Sequence, residues 1–471
     1  MQRFLKFVLI LLALGLPWST EAHAYSVLTH EQLIDLTWQD SIVPLLLSRY
    51  PGLTPAQLDE ARAYAYGGCV IQDIGYYPFG DVAYSDLTHY VRSGDFIVNL
   101  LRDAQNANEL AFAVGALSHY IGDTVGHAEA INLAVPVEFP MLGVKCGPVV
   151  SYAQGRRQHV QTEFAFDINE ISHHRMAPVH YLRHIGLAVP VKQLALAFYQ
   201  TYGLNEDFSQ RRGRRVNVNA YRFAVRAFIP RIAYALTLLH RRHEPADPDT
   251  PEARQLEQEV AQIATENDWD AYRRKAGIGT YMLAGLLFVL PKFGPLKMAD
   301  VKGPTTATES AYIHSVLLSA AELRRSLAMF TPPSTTSPVR PKLTASTGTM
   351  EDGTREPLDP RHPLPNRDLD TGRVVQPGGY SLTDATYARL LHMLTRQPNL
   401  PIPPGIKAEI QAYYANPDAP ITTKKDPQQW AQVQADLGTL ATMHTSAQAP
   451  PFPTYDDAPK TAQENTKAQS E

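Results

Sequence analysis

The sequence predicts an all-α fold, a multi-helix bundle with a partly irregular C-terminal extension. Apolar residues recur at helical spacing through most of the chain, and no long alternating strand pattern appears. Capping and breaking residues fall where the periodic stretches begin and end.

Taken in order, the first residues read as an export signal. Arg3 and Lys6 precede an apolar run from Phe7 to Leu16, and Ala22-His23-Ala24 places small residues at the two positions a signal peptidase reads. The run is about half the length that crosses a bilayer as a helix. Residues 1–24 are therefore expected to be removed, leaving Tyr25 as the mature N-terminus, with cleavage after Ala22 as the alternative. No cysteine stands at the cleavage point, so a lipoprotein is not expected. The mature protein is expected in the periplasm or outside the cell.

Residues 25–330 read as one helical domain. Thr54-Pro55 opens a helix with a capping residue and a proline in the first turn, and Gly67-Gly68 closes it. Asn106 to Asn132 is rich in Ala, Leu, Phe and Ile and reads as a long buried helix. Further helices are expected over 156–171, 189–203, 217–242, 252–275 and 308–329. Residues 331–380, opening with Thr331-Pro332-Pro333-Ser334, read as a Pro/Ser/Thr-rich linker or surface wrap. Helical patterning returns over 381–443, and the polar stretch 444–471 is expected to be disordered.

Composition narrows the function. Of 471 residues 44% are hydrophobic and 19% charged, ordinary for a soluble globular protein, and the formal net charge of −4 gives no bulk electrostatic hold on nucleic acid. Nucleic acid is not an expected partner. The basic clusters Arg211-Arg212 with Arg214-Arg215, and Arg273-Arg274-Lys275, read as solvated surface. The only cysteines, Cys69 and Cys146, are either one disulfide or two thiols. Two cysteines do not make a thiolate zinc site, so any metal here takes nitrogen and oxygen ligands.

The informative segment runs from Ser118 to His127. On a helix His119, Asp123 and His127 step by four and stay within roughly 80° of one face, each step rising about 6 Å. His119 and His127 then lie about 12 Å apart along the axis, too far for one ion whose ligands stand at about 2 Å. That spacing favours at least two metals. Three ionisable groups in a buried helix would otherwise carry a heavy desolvation cost. His159 and Glu163, four apart, can chelate one ion. Asp73 sits among glycine, aromatic and proline residues in an ordered turn, followed by His89, and His30 lies close behind the expected cleavage site.

The order aromatic terminus, His, Asp, His, His-x3-Asp, His, His-x3-Glu resembles the bacterial zinc-dependent phospholipases C and their structural relatives, the fungal zinc-dependent single-strand nucleases. Over residues 25–165 the resemblance implies the helical bundle of that type and about three zinc ions. It implies one ion at Asp73, His89, His119 and Asp123, and a second at His127, His159 and Glu163. A third would take His30, the amine and carbonyl of Tyr25, and a shared oxygen of Asp123. It also implies Asp73 as the general base. Further on, Leu290 to Leu296 and Leu364 to Gly372 are similar to segments of longer bacterial members. Tyr25 stands where these families place a tryptophan, and the Asp123–His127 interval is two residues shorter than in the well-known members. His173, His174, His180 and His184 are not needed by the pattern and read as surface or supporting residues.

The resemblance implies hydrolysis of a phosphodiester, with a phospholipid as the leading substrate. Ile278 to Leu290 is too short to span a bilayer but long enough for transient contact with its surface, flanked by Arg273, Arg274, Lys275, Lys292 and Lys297. Its other reading is an ordinary buried helix. A zinc nuclease or nucleotidase, with bases held by some of the 23 tyrosines, is the alternative enzyme. A non-catalytic zinc-stabilised module is the alternative outside enzymology.

Overall fold

A computed structural model describes residues 26–77, 80–206, 208, 218–240, 248–275, 277–289, 303–330 and 364–449. The expected signal peptide and Tyr25 lie outside them. Among the described residues there is no strand, only two isolated bridges, and no helix is long and apolar enough to cross a membrane.

The helices that build the site are α1 (Val27–Thr37), α2 (Pro55–Gly68), α3 (Val82–Tyr90), α4 (Ala107–Gly126) and α5 (Tyr152–Ser172). Around them lie α6 (Ile229–His240), α7 (Ile278–Val289), α8 (Thr306–Phe330) and, in the C-terminal region, α9 (Ser381–Thr395). The centre of the bundle is α4, buried continuously from Ala111 to Asp123 and packed against α2 and α8. Asn106 caps it by accepting from the backbone N–H of Glu109 at 3.0 Å.

Two glycines let α2 lie on α4. A Cβ on Gly68 would fall 2.0 Å from the Phe112 carbonyl oxygen, and one on Gly115 would fall 2.2 Å from that of Ala65. Only a missing side chain permits this approach. The capping residue expected at the start of α2 is present and forms a capping box, Thr54 accepting from Gln57 N–H while the Thr54 N–H donates to Gln57 Oε1. Gly68 does end the helix, but the next residue, Cys69, keeps an ordinary right-handed φ of −67°. The glycine serves helix contact rather than termination.

The long helix does not stop at Asn132. After Gly126 it passes through a π-helical turn, His127–Ile131, into Asn132–Glu138. Such turns widen a helix locally and are frequent at functional sites. The helix expected over 217–242 is likewise interrupted by a π turn, Ala224–Phe228. The one expected over 252–275 stops at Glu266, followed by the short Trp269–Tyr272. Val27–Thr37, Val82–Tyr90 and Ser93–Asp103 are helices the sequence reading did not place.

The start of α1 is fastened to α5. The Asp167 carboxylate accepts from Leu28 N–H at 3.1 Å, Thr29 N–H at 3.2 Å and Thr29 Oγ1 at 2.7 Å. Burial nevertheless pushes Asp167 up to about 6. His159, Glu163 and Asp167 step by four along α5, so one helix carries two candidate ligands and the group that fixes the helix bearing His30.

Part of the segment read as a linker is built into the core. Residues 331–363 lie outside the described residues, but 364–380 pack on α3, α4 and the helix Ser93–Asp103. Tyr120 donates to the Pro365 carbonyl at 2.8 Å, Asn366 accepts from Asp95 N–H at 3.0 Å, and Leu369 N–H donates to the His89 carbonyl at 3.1 Å. Gly372, at φ +71°, lies against the Thr124 carbonyl, where a Cβ would stand 2.5 Å away. The stretch expected to be disordered from His444 begins paired, with Ile402 N–H donating to His444 O and Ser446 N–H to Ile402 O; residues 450–471 lie outside the described residues. Cys69 and Cys146 are two free thiols, Cys69 buried.

Candidate metal centre

Six helical pieces converge on one buried cluster. Asp73 stands on the 3₁₀ turn Gln72–Gly75, just beyond α2. Ser85 and Thr88 of α3 tie that turn down, both hydroxyls donating to the Gln72 carbonyl, while Gly75 N–H donates to Ser85 Oγ. This brings His89, at the last turn of α3, against Asp73. His119 and Asp123 come from α4, His127 from the π turn, His159 and Glu163 from α5, and His30 from α1. All eight are buried, none more than 2% exposed.

The distances suit metal. Ligands held at about 2.05 Å around a tetrahedral zinc stand about 3.3 Å from one another. His89 Nε2 lies 3.3 Å from Asp73 Oδ1, 3.4 Å from Asp123 Oδ2 and 3.5 Å from His119 Nε2, and His119 Nε2 lies 3.2 Å from Asp123 Oδ2. The four residues expected to share one ion are therefore together. Asp123 Oδ1 turns the other way, 3.2 Å from His30 Nε2, while the His30 ring stacks on His119 with centroids 4.2 Å apart. One carboxylate thus presents one oxygen to each of two neighbouring positions. The third group, His127, His159 and Glu163, is looser, with Glu163 Oε1 4.0 Å from His127 Nε2 and 3.9 Å from His159 Nδ1. His119 and His127 fall into different groups, as their axial separation requires. Tyr25 lies outside the described residues.

The remaining ring nitrogens are committed elsewhere, which aims the free ones inward. His89 Nδ1 is 2.7 Å from Ser85 O, His119 Nδ1 3.0 Å from Cys69 O, His127 Nδ1 2.7 Å from Leu369 O and His159 Nε2 2.6 Å from Val150 O. Carbonyls of this kind fix the tautomer of a metal-ligating histidine. Both oxygens of Asp123 and Nδ1 of His159 are buried without a hydrogen bond of ordinary geometry. Orphaned acceptors at a ligand separation fit divalent metal bound by nitrogen and oxygen.

At His127, His159 and His30 the electrostatics agree with that donor set. Burial lowers His159 to about 3 and His127 to about 4, keeping both neutral, the form that binds metal. Burial also lowers His30. At His89 burial is outweighed by the hydrogen-bonding carboxylates of Asp123 and Asp73, which hold the ring well above its ordinary value. Burial at Asp123 is likewise outweighed, by His119 first, and its carboxyl is held far below the usual range.

Sequence reasoning missed the partners drawn from far along the chain. Leu369 accepts from His127 through its carbonyl and donates to the His89 carbonyl, so one residue links two ligand helices. Asp370 accepts from Tyr90 and Tyr380, and its carbonyl accepts from Asn132. The segment Leu364 to Gly372 had drawn notice by its likeness to other bacterial chains, but a backbone carbonyl leaves no mark in a sequence. Beside the centre, Tyr90 and Tyr152, which touch His89 and His159, share a cavity of about 120 Å3 with Asp86, Arg156, Thr386 and Arg389. His174, His180 and His184 are exposed, as expected of residues outside the pattern.

Residues 29–204 match the family model described as zinc dependent phospholipase C. No curated protein and no solved structure matches the chain. The matched stretch holds His30, Asp73, His89, His119, Asp123, His127, His159 and Glu163 and ends before the C-terminal segment that braces them. Over residues 29–204, a little over a third of its length, the chain is thus similar to the zinc-dependent phospholipase C family.

Proposed function

We propose that the chain is an exported zinc-dependent hydrolase that cleaves the headgroup from a phospholipid in the manner of phospholipase C. The observation that carries this is the division of Asp123 between two ligand groups beside a third, which suits about three ions around one phosphate. When bound, zinc neutralises the diester's charge, orients it and lowers the pKa of water. The chain's own part is to hold the ligands in register through Ser85, Cys69, Val150 and Leu369, and to supply Asp73 as the base. Asp73 turns Oδ1 to His89 and His119, so Oδ2 is the atom assigned to take the proton.

Membrane contact through Ile278 to Leu290 keeps support on one face only. Leu283, Ala284 and Leu287 of α7 are buried, and the helix packs on α6, whereas Ile278, Tyr281 and Met282 are exposed. These three are the side chains we assign to transient contact with lipid.

Purified mature protein should contain about three zinc ions and hydrolyse phosphatidylcholine or sphingomyelin in preference to nucleotides and single-stranded nucleic acid. Turnover of nucleic acid alone would make the chain a nuclease. A full complement of zinc with no turnover of any phosphodiester would leave a zinc-stabilised module.

The third position is assigned to His30, one oxygen of Asp123, and the amine and carbonyl of Tyr25 once the leader is removed. An amine with a pKa near 8 binds metal when deprotonated, whereas the same nitrogen inside a longer chain is an amide. Protein made with one extra residue ahead of Tyr25 should hold about one zinc fewer and lose most of its activity. Equal zinc content and equal rates in both forms would make the terminus a mere tether.

A further inference from the structure

Between the ligands His127 and His159 the chain leaves the metal centre and returns to it. Among the described residues this excursion carries the longest run of exposed large apolar side chains: Leu133 at 40%, Val137 at 51%, Met141 at 80%, Val144 at 84% and Val149 at 49%. Two short helices, Asn132–Glu138 and Pro140–Cys146, form a corner at Phe139. Phe139 and Leu142 pack on the core beneath, so the corner is held from below while Met141 and Val144 point outward.

The base of the corner is fastened to the metal site. Val150 N–H donates to the Asn132 carbonyl at 2.9 Å, and the Val150 carbonyl lies 2.6 Å from His159 Nε2. Asn132 in turn donates to the Asp370 carbonyl. Anything that seats on the corner is therefore brought to the rim of the cluster.

The charges on the corner single out its occupant. Its carboxylate, Glu138, is turned inward and accepts from Thr305 N–H at 3.0 Å and Thr308 Oγ1 at 2.6 Å. Its cation, Lys145, is exposed, as are Arg156 and Arg157 just beyond it. An apolar face whose own outward charge is a cation, with further cations past its far edge and the exposed Glu129 confined to the turn before it, complements a lipid surface bearing anionic headgroups. Apolar surface gathered in this way marks an interaction site, not ordinary solvated exposure.

We propose that residues 133–149 are a lipid-docking corner that seats the metal centre on a phospholipid surface containing anionic lipid. The choice of lipid as occupant rests on the phospholipase reading above. Met141 and Val144 enter the acyl boundary and Lys145 lies at headgroup level. The surface is separate from the exposed face of α7.

The test compares zinc-loaded wild-type protein with a Met141→Ser/Val144→Ser double variant and with Lys145→Glu. Both altered side chains of the double variant are exposed, so its unfolding temperature should equal that of wild type. Flotation with phosphatidylcholine/phosphatidylglycerol vesicles should show an affinity lower by about 100-fold in the double variant. Lys145→Glu should lose about tenfold at low salt, with the difference shrinking as salt is added. Hydrolysis of dihexanoyl phosphatidylcholine, a soluble substrate, should be unchanged in both. Vesicle affinity equal to wild type in the double variant overturns the proposal while leaving the enzymatic reading intact. A concentration-dependent dimer abolished by the double variant, with no vesicle binding by wild type, would make the corner an interface between copies. Vesicle binding lost in the double variant, by a wild-type protein that cleaves no phosphodiester, keeps the docking corner and removes the phospholipase.

Discussion

Asp123→Asn is expected to weaken two of the three candidate metal positions at once and to lower phosphodiester turnover on the order of 10⁴-fold. The carboxylate is divided, Oδ1 at 3.2 Å from His30 and Oδ2 at 3.2 Å and 3.4 Å from His119 and His89. An asparagine keeps one oxygen, carries no charge, and turns an NH₂ towards whichever group loses it. The effect should reach beyond the metals. In metal-free protein the same carboxylate faces two histidines whose rings its charge helps hold above their ordinary values. Removing one partner of such a buried set costs about 3–5 kcal/mol, because the other charge is left uncompensated. Zinc analysis and thermal unfolding, with and without chelator, read both effects. Glu163→Gln is the internal control, since Glu163 belongs to the His127 and His159 group alone, and it should cost about one ion. A variant at position 123 that kept its full zinc and turned over within tenfold of wild type would show that the bridging arrangement has no role.

How much of this was legible in the sequence depends on what each residue touches. Five of the candidate ligands were readable because they repeat at helical spacing, His119, Asp123 and His127 on one stretch and His159 and Glu163 on another, whereas His30, Asp73 and His89 stand singly and were assigned through the family resemblance. Long helices were readable where an apolar run follows a cap, as in α4, whereas α5 was expected only from residue 156 and begins at Tyr152, behind its cap Ser151. Helix α1 gave no such signal because all of it is buried, Thr29, Glu31, Gln32 and Asp35 included, so there is no polar face to alternate with an apolar one. Gly67-Gly68 marks the end of α2, but for reasons that lie far along the chain, where Gly68 meets Phe112 of α4 and Gly67 meets the Ala188 backbone. Residues 364–380 read as a linker because the bonds that tie them to the bundle are tertiary, running to Asp95, Tyr120, His127 and Asn132, while their own pairing is one short bridge, Arg367 with Val374. The run from Ile278 was apolar all round, and only the packing on α6 shows which side of it faces solvent.

Asp73→Asn is expected to cut turnover by about 10²–10⁴-fold while changing the fold little, since a general base typically contributes that much. Asp73 is placed for two duties, and the variant separates them. Oδ1 stands 3.3 Å from His89 Nε2 and 3.8 Å from His119 Nε2, so an asparagine oxygen in its place can still hold the ligand position. The amide has no basic atom to offer in place of Oδ2. The 3₁₀ turn that carries it depends on Ser85 and Thr88 bonding to the Gln72 backbone, contacts the substitution leaves alone. Zinc content should therefore stay near that of wild type while the rate falls. The pH profile supplies the sharper evidence. If Asp73 takes the proton, kcat/KM of wild type should decline on the acid side as its carboxylate is protonated, and that decline should disappear in the variant, whose residual rate would follow hydroxide concentration. A rate loss matched by an equal loss of zinc would reduce Asp73 to a ligand. Unchanged turnover at full zinc would remove it from the reaction and leave a buried carboxylate that holds His89 in place.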